Sequence, residues 1–208
     1  MRTILTLLLI IAVIFIAIII WQTTAYKVSE PKFVVEKTDG AISIRQYPPI
    51  IVAEVTQTGK RYKAINSGFR LLADYIFGGN GKEKSIAMTA PVIQSRTKIP
   101  MTAPVTQQAD NDNWVIRFVM PDSYQLNELP KPDNADVKLI PIPAKTYVVI
   151  QFSGFNSESN LSQHLKQLEA YVEENKLQTL GNPIYAFYNP PWILPFLRRN
   201  EIMLELQS

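Results

Sequence analysis

Set against itself at a shift of 95 positions, the chain repeats a pattern: Ile42, Ile44, Pro48, Val55 and Gly59 fall on Val137, Leu139, Pro143, Ile150 and Gly154. In both copies an alternating strand meets a proline, a second apolar strand follows, a glycine ends it, and a helical pattern begins. This ordering constrains the fold more tightly than any composition could. It describes two related halves, about 30–120 and 136–208, joined by the connector Pro121 to Asp136 with its prolines at 121, 130 and 132.

In the first half the helix carries Tyr62, Ile65, Phe69, Leu72 and Ile76, whose spacing defines one apolar stripe. It is expected to stop at Gly78-Gly79, where left-handed backbone has no steric cost. In the second half Ser157 is the expected N-cap, and Leu161, Leu165, Leu168 and Val172 form the matching stripe. Each helix feeds further strands: Ile86 to Ile93, Ile99 to Thr106 and Trp114 to Met120 first, then Ile184 to Tyr188 and Glu201 to Leu206. Short strands in a chain with 15 prolines predict an antiparallel sheet with bulges, curled around a core, with two helices on it. The fold class is α+β.

A second, shorter repeat lies inside the first half, where IAMTAPVI begins at Ile86 and IPMTAPVT at Ile99. Alternate residues Ile86, Met88, Ala90 and Val92 point one way, as do Ile99, Met101, Ala103 and Val105, and Gln94 to Lys98 suits a hairpin connection. Pro91, Pro100 and Pro104 cannot donate to a ladder, which places these strands at an edge or on bulges. The alternative reading makes Met88 or Met101 a thioether ligand to a haem iron; buried methionine more often serves as flexible packing.

The amino-terminal end follows a different logic. Ile4 to Trp21 is an apolar run whose only polar member is Thr6. As a helix it would span roughly 27 Å, near the thickness of a bilayer's hydrocarbon core. A cleavable signal peptide would have a shorter apolar region, and the only candidate cleavage site is the weak Thr23-Thr24-Ala25, which favours an uncleaved transmembrane anchor. Trp21 and Tyr26 suit an interfacial belt. Arg2 lies before the run and Lys27 and Lys32 after it, so the charge rule barely decides orientation. A short amino-terminal tail most simply stays in the cytoplasm, leaving the globular part outside, in a periplasmic position.

Composition removes several function classes. The formal net charge is only +3 with scattered cations, so no nucleic-acid footprint is present. There is no cysteine, hence no disulfide, no lipid attachment and no thiol nucleophile. The single histidine, His164, sits at the margin of the second helix's stripe, where a surface or half-buried role is commoner than metal ligation. No GxSxG, zinc-ligand or phosphate-loop pattern is found.

MTAPV following a helix that ends in YIFGGN, together with YNPPWILPFLRRNEIMLEL near the carboxyl end, resembles the SOUL haem-binding protein family. The likeness runs from about Phe33 to Leu206. It implies a distorted antiparallel β-barrel of two pseudo-symmetric βαββ-like halves with two flanking helices. The transmembrane helix lies outside the likeness, giving a division into an anchor and linker at 1–27 and a haem-binding domain at 28–208. It also implies non-enzymatic, reversible binding of haem or a related tetrapyrrole in a hydrophobic surface pocket, for transport, buffering or sensing.

Carried onto this sequence, the resemblance implies a pocket between Ile65, Phe69, Leu72 and Ala73 of the first helix and the loop Pro190 to Phe196, which includes Trp192, Ile193 and Phe196. Trp192 and Phe196 would stack on a porphyrin face. Arg70, Arg198 and Arg199 are the cations suited to its propionates; the other reading of Arg198 and Arg199 is local ion pairing. Where some family members have an axial histidine near the domain's start, this chain has none. At the positions of a helix arginine and a loop lysine found in others stand Asn66 and Ile193. No axial ligand, metal site or catalytic residue is assigned.

Other classes remain open to the sequence. The two-half architecture is similar to gyrase-inhibitor-like effector domains, general binders of small hydrophobic or cationic molecules. Glu54, between Ala53 and Val55, is the one candidate carboxylate for a cationic ligand or for hydrolysis; its ordinary reading is the solvent face of a strand. An interaction protein positioned by its anchor is the remaining class.

Overall fold

The computed structural model describes residues 2–24, 30–81, 85–86, 89–97 and 113–207. The proposed strand Ile99 to Thr106, both motif methionines, Tyr26 and Lys27 lie outside these residues.

Arg2–Thr24 forms the 23-residue helix α1, and its side chains from Thr3 to Ile14 are exposed. Among the described residues no helix is long and apolar enough to cross a membrane. The transmembrane helix expected of this run is therefore not established by the fold.

The remaining elements are β1 (Val34–Asp39), β2 (Ile42–Tyr47), β3 (Ile50–Thr58), α2 (Arg61–Ile76), β4 (Val92–Thr97), β5 (Asn113–Val119), β6 (Lys138–Ile142), β7 (Lys145–Phe152), α3 (Glu158–Glu174), β8 (Thr179–Phe187) and β9 (Asn200–Leu206). Among the described residues nine strands join one antiparallel sheet in the order β1-β2-β7-β9-β8-β4-β5-β3-β6. Read outward from the central β8/β4 pair, each arm ends in strands from the other half of the sequence, β2 and β1 beyond β7 and β6 beyond β3.

The expected closure into a barrel is not found among the described residues, where β1 and β6 remain edges. Each is a poor partner for the other. β6 contains Pro141, which has no N–H to give, and β1 is exposed throughout and carries a register shift between Val35 and Lys37 that bends it away. The hairpin expected across Gln94 to Lys98 is also corrected: Gln94 to Thr97 continue β4 and pair with β5, and Gln94 and Ser95 also with β8. A polar run makes a strand here because neighbours on both sides satisfy its backbone.

Both domain helices cover one face. α2 rests on β3 and β5, α3 on β7 and β9. Val92 of the first cluster and Phe187 of the second are register partners in β4 and β8, so their side chains share a face. α3 meets its expectation, with Ser157 Oγ accepting from the Asn160 N–H and Leu161 and Leu168 buried. α2 is rotated from its expectation. Its buried row is Ala64, Gly68 and Leu72 with Tyr75 and Ile76, whereas Tyr62 is 80% exposed. A Cβ on Gly68 would lie 2.7 Å from Ile116 Cδ1, so small residues set how closely this helix approaches the sheet, which turns Ile65 and Phe69 outward.

Candidate functional site

Because the helices stand on β3/β5 and β7/β9, the central strands β4 and β8 form the floor of a groove between them. There a cleft of about 620 Å³ opens, within the range of small-molecule sites. Ile65, Asn66 and Phe69 on α2, with Phe77 just after it, form one wall; Val92, Gln94 and Phe187 form the floor; Pro190, Pro191, Trp192 and Arg198 close the other side.

The chain reaches this geometry through local causes. Phe69 is propped against β5, its ring 5.2 Å from Phe118 and nearly perpendicular. The loop after β8 is stapled by Arg198, whose Nε donates to the Ile193 carbonyl at 2.7 Å and whose Nη2 donates to that of Pro191 at 2.5 Å. Ile193 is buried by the staple while Trp192 stays 65% exposed at the rim. The Trp192 ring is thus carried at the cleft's rim on a fixed backbone.

Of the residues expected to bind, the structure brings Ile65, Phe69, Trp192 and Arg198 onto this one cleft. Leu72 is fully buried in the core instead, and Ile193 is nearly so. Arg70 is exposed, Ala73 is half-buried and Phe196 is 58% exposed, and none of the three lines the cleft. Arg199 is engaged elsewhere. Its Nη2 and Nε reach Glu201 Oε1 at 2.8 and 3.0 Å, and its Nη1 reaches Glu30 at 2.8 Å.

Glu201 has no exposure and also accepts from Arg45 Nη1 at 2.8 Å and from the Tyr188 hydroxyl at 2.8 Å. Burial first, and the Glu201 charge second, push the Tyr188 phenol far above its ordinary value, so it remains a donor. This network lies directly behind the loop, since Tyr188 itself reaches the cleft.

Sequence reasoning missed Gln94, Phe187 and Asn200 as cleft residues. Gln94 belonged to a segment read as a turn, and Phe187 and Asn200 come together with Val92 only through the long-range pairings of β8 with β9 and with β4. Glu54 pairs with Arg117 at 2.6 Å, on the face of β3 opposite the α2-facing Ala53 and Val55, so it is not offered to a cleft ligand. His164 stacks on Phe152 at 4.0 Å, with Nδ1 2.8 Å from the Asn160 carbonyl oxygen. Among the described residues, no Asp or Glu lines the cleft.

The cleft suits a largely apolar molecule with a few polar or anionic groups. Aromatic and aliphatic groups supply its faces, and amides and one guanidinium supply its polar points.

Comparison with known proteins bears on this directly. The family described as "SOUL heme-binding protein" matches residues 28–205. "Heme-binding protein 2" of Homo sapiens is 30% identical over 168 residues, covering 79% of this chain and 78% of the relative. "Heme-binding protein 1" of Mus musculus is 28% identical over 143 residues, covering 68% and 71%. Among solved structures, the EcmrR C-terminal domain superposes with a TM-score of 0.57 at 14% identity, covering 80% of this chain and 97% of that one, a likeness of fold.

Proposed function

The chain belongs to the SOUL heme-binding protein family, and on that premise we propose that it binds haem or a related tetrapyrrole reversibly in the cleft between α2 and the loop after β8. It is a binding protein and not an enzyme, serving transport, buffering or sensing. One observation carries the placement: the outward row of α2 and the loop bearing Trp192 are far apart in sequence and converge on a single cleft of about 620 Å³. Residues present fit a macrocycle, with Ile65, Phe69, Val92, Phe187 and Trp192 for its faces. The bound tetrapyrrole would bring the chemistry of its own ring and metal; the chain supplies shelter and orientation.

The test is an absorbance titration of the full chain with hemin. Saturable binding with a shifted Soret band supports the reading. A spectrum indistinguishable from free hemin, with serum albumin removing all of it, sinks it.

We also propose that α1 is an uncleaved anchor holding the domain outside the cytoplasm, in a periplasmic position. Support comes from the apolar run Ile4 to Trp21, whose only polar member is Thr6, and from the exposure of its large apolar side chains between Ile4 and Ile14. Resistance of the membrane-bound chain to carbonate extraction is expected, with the domain digested by protease added to spheroplasts. Protection until lysis would reverse the orientation.

A further inference from the structure

Arg61 opens α2 one turn before Ile65 and two before Phe69, on the same helix row, and borders the cleft through its bonds to two lining residues rather than lining it itself. Its Nη2 donates to Gln94 Oε1 at 3.0 Å, and its Nη1 reaches the Asn156 carbonyl at a long 3.5 Å; both partners line the cleft. Trp114 and Tyr185 flank the guanidinium at 5.8 and 6.0 Å. These hydrogen-bond and ring partners are all neutral. Among the described residues no carboxylate forms an ion pair with Arg61, whereas Arg45, Arg117 and Arg199 each have one. Burial lowers its pKa, against smaller opposing effects of Tyr185 and Glu158, the signature of a cation short of countercharge.

We propose that Arg61 receives the carboxylate edge of the ligand, at the end of the cleft remote from Trp192. The assignment rests on the tetrapyrrole reading above and deepens it: the ligand class is an acid, and its orientation is set by this residue. It replaces the roles the sequence suggested for Arg70, which points to solvent, and Arg199, which is consumed by Glu201 and Glu30. Arg198 spends two of its N–H groups on the loop carbonyls. Among the arginines whose side chains are described, Arg61 combines a half-buried position, hydrogen-bond partners that are all neutral and one weak bond that an incoming carboxylate can replace with a charge-assisted one.

The discriminating experiment compares protoporphyrin IX with its diamide, in which neutral amides replace both carboxylates, on the full chain and its Arg61 variants. Quenching of tryptophan emission reports binding, and both probes lack iron. The parent protein should prefer the diacid by about tenfold or more. In Arg61→Gln that ratio should fall toward one, and Arg61→Lys, which keeps the charge, should restore part of it. A brace with no ligand contact would leave the ratio unchanged in Arg61→Gln, and that result, or a parent with no preference, overturns the assignment while the tetrapyrrole reading stands. Failure of the parent to bind either probe removes both.

Discussion

Gly59 and Gly154, 95 positions apart in sequence, adopt nearly the same backbone conformation, with φ of +106° and +107°. Each ends a strand, β3 or β7, and turns the chain toward the helix that follows. L-residues rarely adopt this region, so alanine should cost about 1 to 2 kcal/mol at Gly59, where a Cβ meets nothing within 4 Å. At Gly154 the cost should be larger, because a Cβ would lie 2.9 Å from Asn160 Nδ2, which holds the carbonyls of Ser153 and Phe155. Urea unfolding of the two variants should rank them in that order; equal, negligible losses would mean the turns relax freely.

Trp192 and Leu72 separate site from core. Trp192→Ala should weaken tetrapyrrole binding about tenfold, the worth of one good aromatic contact, with little change in the unfolding midpoint. Leu72→Ala should do the reverse, costing about 2 to 5 kcal/mol of stability through the cavity left under α2. A Trp192→Ala protein that binds hemin as the parent does would move the site elsewhere.

The sequence disclosed most of this fold where the signal was local. The stripe and cap of α3, the glycine stops and the strands around the 95-residue repeat all depend on neighbours in the chain. It misled where packing decided. Ile65 and Phe69 have the spacing of a core stripe, yet Ala64 and Gly68 pack inward because only they let α2 approach Ile116. Gln94 is polar in a polar segment, and only its pairing with Tyr185 of β8 makes it a cleft floor. Arg61, Gln94 and Asn156 meet through three separate elements, a conjunction that no spacing encodes.

Alkaline pH should loosen the domain. Burial raises the phenols of Tyr75 and Tyr147 to about 12, with a lesser contribution from neighbouring Tyr124 for the first and Glu205 for the second. Free tyrosine ionises near pH ~10, so the unfolded chain loses these protons first. The stabilisation is therefore complete below about pH 10 and is lost as pH climbs toward 12, by of order 2 kcal/mol for each group. Denaturant midpoints measured from neutral pH upward should fall over that window. In Tyr75→Phe the fall should be shallower, although this variant starts lower by about 1 kcal/mol for the lost bond to the Pro130 carbonyl. A midpoint that holds steady between pH 10 and 12 would show that both phenols ionise as freely in the fold as outside it.

The buried carboxylate of Glu201 ties three strands and the cleft loop together, and removing it tests that connection. Arg45 on β2 and Arg199 at the head of β9 both donate to Oε1, and Tyr188 at the end of β8 donates to Oε2. Glu201→Gln keeps the shape but leaves Arg45, with a side chain only 7% exposed, facing a neutral amide. An uncompensated charge at such depth costs about 3 to 5 kcal/mol. Arg45→Met should cost less, because Glu201 retains Arg199, which stacks over the Tyr188 ring at 3.9 Å and reaches outward to Glu30. The two substitutions should therefore be unequal in stability, Glu201→Gln the worse. They should also differ in binding: only Glu201→Gln releases Tyr188 and Arg199 together, freeing the loop that carries Trp192, so its tetrapyrrole affinity should drop under conditions where the variant is still fully folded. Equal midpoints for the two variants would show that Arg45 and Arg199 share the carboxylate without either depending on it.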